Sequence, residues 1–515
     1  MRDCSIVFLS AVLIDLIIYC TLRKIPALFR AVKIILIALS AVMFALDIFA
    51  LYNYQTGFNT IMLEIALMTN FREGSEFLAD FVFNSHFLSF IAGVIVMLVV
   101  LRKIYAFFQR HTRVLALLII AGTLMGVLGA VRDYRRSGTI PALPSSSALL
   151  RISDMAVRVY YSHKNYNAML ASSPKDITIT ARRREIPNLV FVLGESTTRN
   201  HMQIYGYNLP TNPILSARND IHIFTDTISP HSHTNAVLKK MFTFCRYDSK
   251  GEWFTYTTLF RILKEAGFHT SWLSNQEAPN GENVVELYSR QCDAAKFTEN
   301  LTETYERLTS YDGVLLPILD DAIRNEHDKN FYLIHLMGTH GRYSMRYPLE
   351  YDKFTAEDEG GFDGISDSQK KIRAEYDNAV LYNDFVVDEI IRRFEDKNAI
   401  VIYVSDHGEE VYDSMNFFSH NEGTPSRYMI EVPFIVWTSQ KFRQAYPELE
   451  ERIASSVNRP YMTDDMIHTL LDIMGIETPG YDPPKSIINP NFDSSRKRIY
   501  AGMLYDKERG LHEIQ

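Results

Sequence analysis

The stretch AIVIYVSDHGEE, residues 399–410, decides the fold that the sequence predicts. Its first six residues are apolar on both faces, as in a central strand of a sheet that is covered on both sides. An acidic residue, a histidine and a glycine follow where the strand should end. Two stretches of the same design occur upstream, NLVFVLGEST at 188–197 and FYLIHLMGTHG at 331–341. Together they predict an α/β domain with a largely parallel sheet.

Further elements of the same domain can be read from the apolar pattern. Strands are predicted at His269–Leu273 and Val432–Trp437, and helices at Thr257–Ala266 and Tyr376–Phe394. The polar, glycine-rich stretch Thr355–Ser368 is predicted to be a surface insertion, which could also order over a bound substrate. The chain contains no internal repeat.

Four polar residues follow the three apolar strands, namely Glu195, His340, Asp406 and His407. Ligands of parallel α/β sheets bind beyond the carboxyl ends of the strands, so we expect these side chains at one edge. Each residue alone has a common structural role, such as a helix N-terminal charge or a packed histidine. Together, carboxylates and imidazoles suit a divalent metal, and zinc takes this set readily.

The first third of the chain contains nearly all of its long apolar runs. Each run is near the ~20 residues that cross the hydrocarbon as a helix. A buried core helix is the alternative for any one of them, and a signal peptide is the alternative for the first. No A-x-A-like cleavage site follows that first run. Four membrane spans are therefore predicted, at about 4–22, 32–52, 81–101 and 114–131.

Basic residues set the predicted orientation of these spans. The segments between spans one and two and between spans three and four are short and rich in Lys and Arg, which places them in the cytoplasm. The loop 53–80 and everything after residue 131 then lie on the other side, so the α/β domain is extracytoplasmic. Three arginines do not fit this pattern, because they would lie on the outer side of the fourth span: Arg132, Arg135 and Arg136. They could pair with anionic lipid headgroups.

The sequence thus predicts three parts: a transmembrane helical domain of about four spans at 1–135, a linker with an interfacial helix at 136–185, and the catalytic α/β domain at 186–515. The Pro- and Ser-rich stretch 137–147 supports the linker. A helix within 148–170 mixes apolar and basic residues, which suits a membrane surface. A helix that packs against a domain is the alternative for this segment.

Composition excludes several classes of protein. The 515 residues carry a net charge of −8 and are 47% hydrophobic, which rules out a disordered chain. The part after residue 136 is acidic and has no basic stripe, which argues against a nucleic-acid partner. Four cysteines are too few for a disulfide scaffold. Cys4 and Cys20 lie in the first predicted span, so only Cys245 and Cys292 could pair.

The α/β domain contains eight short motifs in a fixed order: GESTTR at 194–199, YGYN at 205–208, TNP at 211–213, HLMGTH at 335–340, LYND at 381–384, SDHGEE at 405–410, NE at 421–422 and VPF at 432–434. As an ordered set, these motifs resemble those of the phosphoethanolamine transferase family. The resemblance covers essentially the whole chain. It implies an alkaline-phosphatase/sulfatase-like α/β/α domain in the periplasm, attached to a multi-pass helical domain in a bacterial inner membrane. Family members usually have five spans, one more than the four predicted here.

The resemblance also implies a metal centre and a nucleophile. It places the metal ligands at Glu195, Asp406 and His407, with the nucleophile Thr234 as the fourth ligand. One Zn²⁺ would be tightly bound, and a second is possible during turnover. Contact with zinc would activate the threonine hydroxyl, which is a poor nucleophile at neutral pH.

Four more residues are implied to lie at the substrate. His340 and His420 match family histidines near the phosphoryl group and would handle protons. Thr69 and Glu73 in the outer loop resemble a membrane-domain motif that lines the substrate site. An ordinary solvated loop acid is the alternative for Glu73.

The implied reaction moves phosphoethanolamine from phosphatidylethanolamine to lipopolysaccharide through a covalent adduct on threonine, releasing diacylglycerol. The details of 195–199, 335–340 and 409–413 resemble members that modify a heptose of the lipopolysaccharide core. Lipid A or another periplasmic acceptor is the alternative, as is a phosphoglycerol transferase of the lipoteichoic-acid type. A sulfatase activity would need a Cys/Ser-x-Pro-x-Arg stretch, which the chain lacks. We expect a monomer in contact with the bilayer.

Overall fold

The computed structural model describes two parts of the chain in different detail. It describes residues 25–54, 177–250, 253–277, 284–299, 311–508 and 510–512, with single positions and short pieces at 58–103 and 152–164. The chain divides into two compact units, Met1–Lys164 and Asn165–Gln515. The division lies inside the segment 136–185 that the sequence predicts to be a linker, and the three domain bounds stay predictions.

The first unit contains the long helix α1, Pro26–Tyr54, which includes the predicted span 32–52. A proline in the first turn suits the start of a helix because its missing N–H would have no partner there. Of the helices that the structure describes, none combines the length and the apolar character needed to cross a membrane. The predicted spans 4–22 and 114–131 lie outside the described residues, as do Thr69 and Glu73, and 81–101 is described only in pieces.

A mixed seven-stranded sheet forms the centre of the second unit. The strands are β1 Asn188–Gly194, β2 Ile221–Ile223, β3 His269–Glu277, β4 Ala294–Glu299, β5 Asn330–His335, β6 Ala399–Ser405 and β7 Phe434–Thr438. Their order in the sheet is β2-β7-β6-β1-β5-β3-β4. The five strands from β6 to β4 run parallel to one another, whereas β7 is antiparallel to both β6 and β2. All five strands predicted from the sequence are present in this sheet.

Helices cover both faces of this sheet. The helices are α2 Pro213–Ala217, α3 Thr234–Met241, α4 Leu259–Glu265, α5 Val284–Gln291, α6 Leu315–Arg324, α7 Asp367–Arg392, α8 Gln440–Ala445, α9 Pro447–Ala454 and α10 Met466–Met474. The predicted helix Thr257–Ala266 corresponds to α4, and Tyr376–Phe394 corresponds to the second part of α7. The structure begins α7 earlier than predicted because Ser366 and Gln369 form a capping box ahead of its polar first turns.

The side chains of β1 show why its sequence is apolar without alternation. Leu189 and Phe191 pack into a core with α3, α4, α5 and α10 on one face of the sheet. Val190 and Val192 pack into a second core with α6 and α7 on the other face. All four side chains are fully buried. This arrangement is the α/β/α sandwich that the sequence predicts.

Short strands complete the second unit outside the central sheet. One pair, Glu410–Val411 with Phe418–Ser419, closes the chain segment that follows β6. A three-stranded antiparallel sheet near the end of the chain consists of Arg498–Tyr500, Met503–Asp506 and Gly510–His512. The remaining pairs are Ala181–Arg182 with Ile476–Glu477, and Thr227–Ile228 with Tyr461–Met462.

Two cysteines of this unit, Cys245 and Cys292, are both free thiols. The Nζ of Lys240 lies 3.3 Å from the sulfur of Cys245. The sulfur of Cys292 lies 3.4 Å from the carbonyl oxygen of Tyr288. The disulfide that the sequence left open is therefore not formed, since each sulfur contacts other groups.

Candidate active site

Glu195 and Asp406 lie side by side because the strands that precede them are in register. Gly194 at the end of β1 pairs with Ser405 at the end of β6, so the next residue of each strand reaches the same edge of the sheet. The backbone N–H of Ser196 donates to Oδ1 of Asp406 at 3.1 Å, which ties the two strand ends together.

His407 joins the two carboxylates in a buried cluster. The ligand atoms of Glu195, Asp406 and His407 all lie within 4.8 Å of one another. Nε2 of His407 is 3.4 Å from Oε1 of Glu195 and 3.5 Å from Oδ2 of Asp406. Nδ1 of the same ring lies 2.8 Å from the carbonyl oxygen of Gly408. A proton on Nδ1 would therefore leave the lone pair of Nε2 facing the carboxylates.

Two atoms of this cluster lack a hydrogen-bond partner in the part of the chain that the structure describes. They are Oδ2 of Asp406 and Nε2 of His407. The other oxygen of Asp406 accepts the backbone N–H groups of Ser196 and His407. Buried polar atoms are rarely left without partners unless a ligand or ion completes them. A carboxylate–imidazole set with two such atoms fits a zinc ion.

The charges of the cluster lead to the same conclusion. Burial and the neighbouring carboxylate of Glu195 raise the pKa of Asp406 to about 7. Burial works against a charge on His407, but the carboxylates of Asp406 and Glu195 raise its pKa to about 10. The two carboxylates therefore require a cation, which in the protein alone is a proton on His407. A divalent metal would meet the same requirement and displace that proton.

Thr234 lies at the cluster as the first residue of helix α3. Its hydroxyl oxygen is 3.1 Å from Oε2 and 3.3 Å from Oε1 of Glu195. The first turn of a helix leaves backbone N–H groups without helical partners and carries a partial positive charge. Negative charge that develops on the threonine oxygen, or on a group attached to it, is thus favoured at this position.

His420 and His340 flank the cluster. The ring of His420 lies 4.2 Å from that of His407, and its Nδ1 is 2.7 Å from Oε2 of Glu409. Burial and the charges of His407 and His340 hold the pKa of His420 well below its usual value. His420 is therefore neutral near pH 7 and able to accept a proton. Thr69 and Glu73 lie outside the described residues, and their roles stay predictions.

The structure adds two residues to the site. Glu409 lies in a motif of the sequence analysis but had no predicted role, and Gln276 was not predicted at all. Gln276 at the end of β3 lies with its Nε2 3.4 Å from Oε2 of Glu195 and 3.1 Å from Nε2 of His335. Burial lowers the pKa of His335 to about 4, which keeps its ring neutral. Glu409 accepts a 2.7 Å hydrogen bond from the hydroxyl of Tyr343. The two glutamates at 409–410, close after His407, could have indicated a role for Glu409. Nothing in the sequence indicated Gln276.

The fold and this cluster can now be compared with known proteins. Residues 187–476, more than half of the chain, match the sulfatase family. The chain belongs to the sulfatase family. The mixed α/β sandwich with its polar strand ends is the architecture of that family, as expected from the sequence.

Similar members of the sulfatase family are named phosphoethanolamine transferases. The chain is 33% identical to phosphoethanolamine transferase EptC of Escherichia coli O18:K1:H7 over 320 residues, which are 60% of this chain and 55% of that protein. It is 32% identical over 320 residues, with the same coverage, to phosphoethanolamine transferase CptA of Salmonella typhimurium. The chain thus spans about half the length of the curated relatives that it matches. The resemblance to phosphoethanolamine transferases is confirmed.

Two solved structures show the same fold. The crystal structure of the C-terminal periplasmic domain of EptC from Escherichia coli in complex with Zn has 30% sequence identity and a TM-score of 0.58. It covers 66% of this chain and 96% of that domain. The integral membrane protein lipooligosaccharide phosphoethanolamine transferase A of Neisseria meningitidis has a TM-score of 0.61 at 23% identity. The match covers 86% of this chain and 85% of that protein. It shows that the two proteins share a fold.

Proposed function

We propose that this chain is a phosphoethanolamine transferase that moves phosphoethanolamine from phosphatidylethanolamine to a heptose of the lipopolysaccharide core. One observation carries the proposal: the hydroxyl of Thr234 lies 3.1 Å from Glu195, at the buried cluster and at the start of α3. The names of the relatives EptC and CptA support the reaction class. Family membership alone would leave the chemistry open, since one fold carries many reactions.

The metal in this proposal is one Zn²⁺ held by Glu195, Asp406, His407 and Thr234. The unpartnered Oδ2 of Asp406 and Nε2 of His407 support it. When bound, zinc would lower the pKa of the threonine hydroxyl and neutralise charge on the phosphoryl oxygens. The related EptC domain was solved in complex with Zn.

In the first half of the reaction, Oγ1 of Thr234 attacks the phosphorus of the donor. A bond forms between Oγ1 and phosphorus, and the bond between phosphorus and the diacylglycerol oxygen breaks. The proton that the Thr234 hydroxyl loses is taken up by the diacylglycerol oxygen, and diacylglycerol leaves. The N-terminal end of α3 stabilises the negative charge of the phosphate that is now attached to Thr234.

In the second half, a hydroxyl of the acceptor attacks the same phosphorus. The new bond joins phosphorus to the acceptor oxygen, the bond to Oγ1 of Thr234 breaks, and Oγ1 regains the proton that the acceptor hydroxyl loses. His420, which is neutral and lies 4.2 Å from the ring of His407, accepts the proton of the acceptor hydroxyl. His340 is the second candidate for this role, because it lies near enough to Glu195 and Glu409 to interact with both carboxylates.

The cellular setting is part of the proposal. We place the chain in a bacterial inner membrane, as a monomer, with the catalytic domain in the periplasm. The likeness of fold to the integral membrane transferase of Neisseria meningitidis, which extends over 86% of this chain, supports a membrane protein. Thr69 and Glu73 would contact the lipid donor.

Purified full-length protein in detergent tests this function with fluorescent phosphatidylethanolamine. We expect the wild type to release labelled diacylglycerol and to show a phosphoethanolamine adduct by intact mass, and Thr234→Ala to do neither. Release from phosphatidylglycerol but not from phosphatidylethanolamine would establish the phosphoglycerol transferase instead. Equal release by both proteins would show that Thr234 is not the nucleophile.

A further inference from the structure

Glu422 contacts the segment that leads into the nucleophile but takes no part in the chemistry proposed above. Its Oε1 is 2.7 Å from Nδ1 of His231, and its carboxylate also accepts the backbone N–H of Ser232. Ser232 precedes Thr234 by two residues, which span at most about 7 Å of chain. The carboxylate is therefore within reach of a two-carbon headgroup whose phosphate is on Thr234.

The surroundings of Glu422 keep it negatively charged and open to a further donor. Burial alone would raise its pKa, but the hydrogen bond from His231 holds it below its usual value. The side chain is 24% exposed, so a ligand can reach it. A carboxylate has two oxygens and about four acceptor sites, more than His231 and Ser232 occupy.

The aromatic side chain of Tyr247 lies near His231 and Glu422. The ring of Tyr247 lies 5.4 Å from the ring of His231, and the charge of Glu422 acts on its hydroxyl. A carboxylate next to an aromatic ring is a favourable environment for an ammonium group, through charge-assisted hydrogen bonds and cation–π attraction.

We propose that Glu422, with His231 and Tyr247 beside it, binds the primary ammonium group of the donor headgroup while the phosphate is at Thr234. This inference rests on the proposed transferase function and names the residue that selects its donor. A glycerol headgroup is neutral and would gain little from a carboxylate at this place. Glu422 therefore favours phosphatidylethanolamine over phosphatidylglycerol.

A purely structural role for Glu422 makes a different prediction. If the carboxylate only held His231 and the loop before α3, its loss would slow the reaction of every donor by the same factor. If it binds the ammonium group, its loss slows only donors that carry one. The ratio of the two rates separates the roles.

The experiment uses the full chain in detergent and two donors of equal size. One is phosphatidylethanolamine and the other is phosphatidylpropanol, in which a methyl group replaces the ammonium group. For Glu422→Gln we expect the ratio of kcat/KM for the two donors to fall by about 10- to 100-fold, the effect of one lost charge-assisted hydrogen bond. The rate with phosphatidylpropanol should change little.

The chain offers a matched control in Glu450. Its Oε1 lies 2.8 Å from Nε2 of His222, and the two side chains are 20% and 18% exposed, close to the values of Glu422 and His231. This pair joins β2 to α9 and is not part of the site. Glu450→Gln should leave the donor ratio at the wild-type value.

The outcomes separate failure of the inference from failure of the function. Diacylglycerol release by the wild type with an unchanged donor ratio in Glu422→Gln would overturn the ammonium site alone. No release from either donor by the wild type would overturn the function and the inference with it.

Calorimetry on the wild type gives a test that needs no variant. Phosphoethanolamine should bind more tightly than propyl phosphate, and equal affinity would contradict the proposal.

Discussion

Gly338 lies directly against the backbone of Glu195. A Cβ atom on Gly338 would be 2.6 Å from the carbonyl oxygen and 2.9 Å from the amide nitrogen of Glu195, and the φ of Gly338 is 53°. The loop that leads from β5 to His340 thus turns where only a glycine fits, directly against Glu195 of the buried cluster.

Gly338→Ala should therefore disturb both stability and the site. We expect a loss of about 1–3 kcal/mol in the free energy of unfolding, from the positive φ and the backbone clash. Zinc content after dialysis should also fall because Glu195 is displaced. Gly341→Ala in the same loop is the control, since nothing lies within 4 Å of its added Cβ. Equal zinc content in the two variants would show that Glu195 does not move.

Loss of one carboxylate from the cluster should abolish metal binding. Asp406→Ala removes the oxygen that has no other partner among the described residues, and we expect less than stoichiometric zinc after dialysis against low zinc. Asp388→Asn is the control: this buried carboxylate pairs with Arg218 and Arg392 on the outer part of α7. Full zinc content in Asp406→Ala, measured by elemental analysis, would contradict the assignment.

The stability of the second unit should fall at alkaline pH because of His201. The buried ring lies 2.5 Å from Asp377 and 3.0 Å from Asp413. Burial opposes its charge, but the two carboxylates raise the pKa of His201 from 6.5 to about 10. A raised pKa contributes stability that is complete below pH 6.5 and is lost as the pH rises toward 10.

Urea unfolding between pH 6 and pH 10 measures this effect. All three tryptophans, Trp253, Trp272 and Trp437, lie in the second unit, so their fluorescence reports on it. The stability difference between wild type and His201→Gln should shrink by about 2–4 kcal/mol over that range. A difference that does not change with pH would show that His201 is not protonated in the folded state.

The C-terminal sheet should depend on one buried ion pair. Nη1 and Nη2 of Arg498 contact Oδ1 and Oδ2 of Asp226 at 2.7 and 2.9 Å. Arg498→Met should cost about 3–5 kcal/mol of unfolding free energy because it leaves the carboxylate buried and unpaired. The double variant Arg498→Met with Asp226→Asn should recover part of that loss. Additive losses in this cycle would mean that the pair is not coupled.

Much of this fold could be predicted because the strands that lead to the site are apolar on both faces. β1, β5 and β6 gave a continuous signal, and Glu195, Asp406 and His407 follow their ends directly. The first turns of α7 could not be predicted, because they are polar on every side and depend on the cap at Ser366. Thr234 came from the resemblance alone, since its position at the cluster depends on where α3 packs.

Contacts between residues that are distant in the sequence could not be predicted either, and the reason is different. Gln276 meets His335 because β3 and β5 are neighbours in the sheet, and the strand order is not written in either segment. The hydrogen bond between His231 and Glu422 joins two loops that are 191 residues apart. Such pairs follow from topology rather than from local pattern.

The two-sided burial of β1 has a consequence for how this protein can change. A slip of one residue in its pairing with β6 would move Phe191 into the layer that now holds Val190, and the two cores are formed by different residues. The same slip would carry Glu195 away from His407. Selection on the apolar interior and selection on the reacting groups therefore act on the same strand. An altered specificity is more easily reached through the loops that hold Glu422 than through β1.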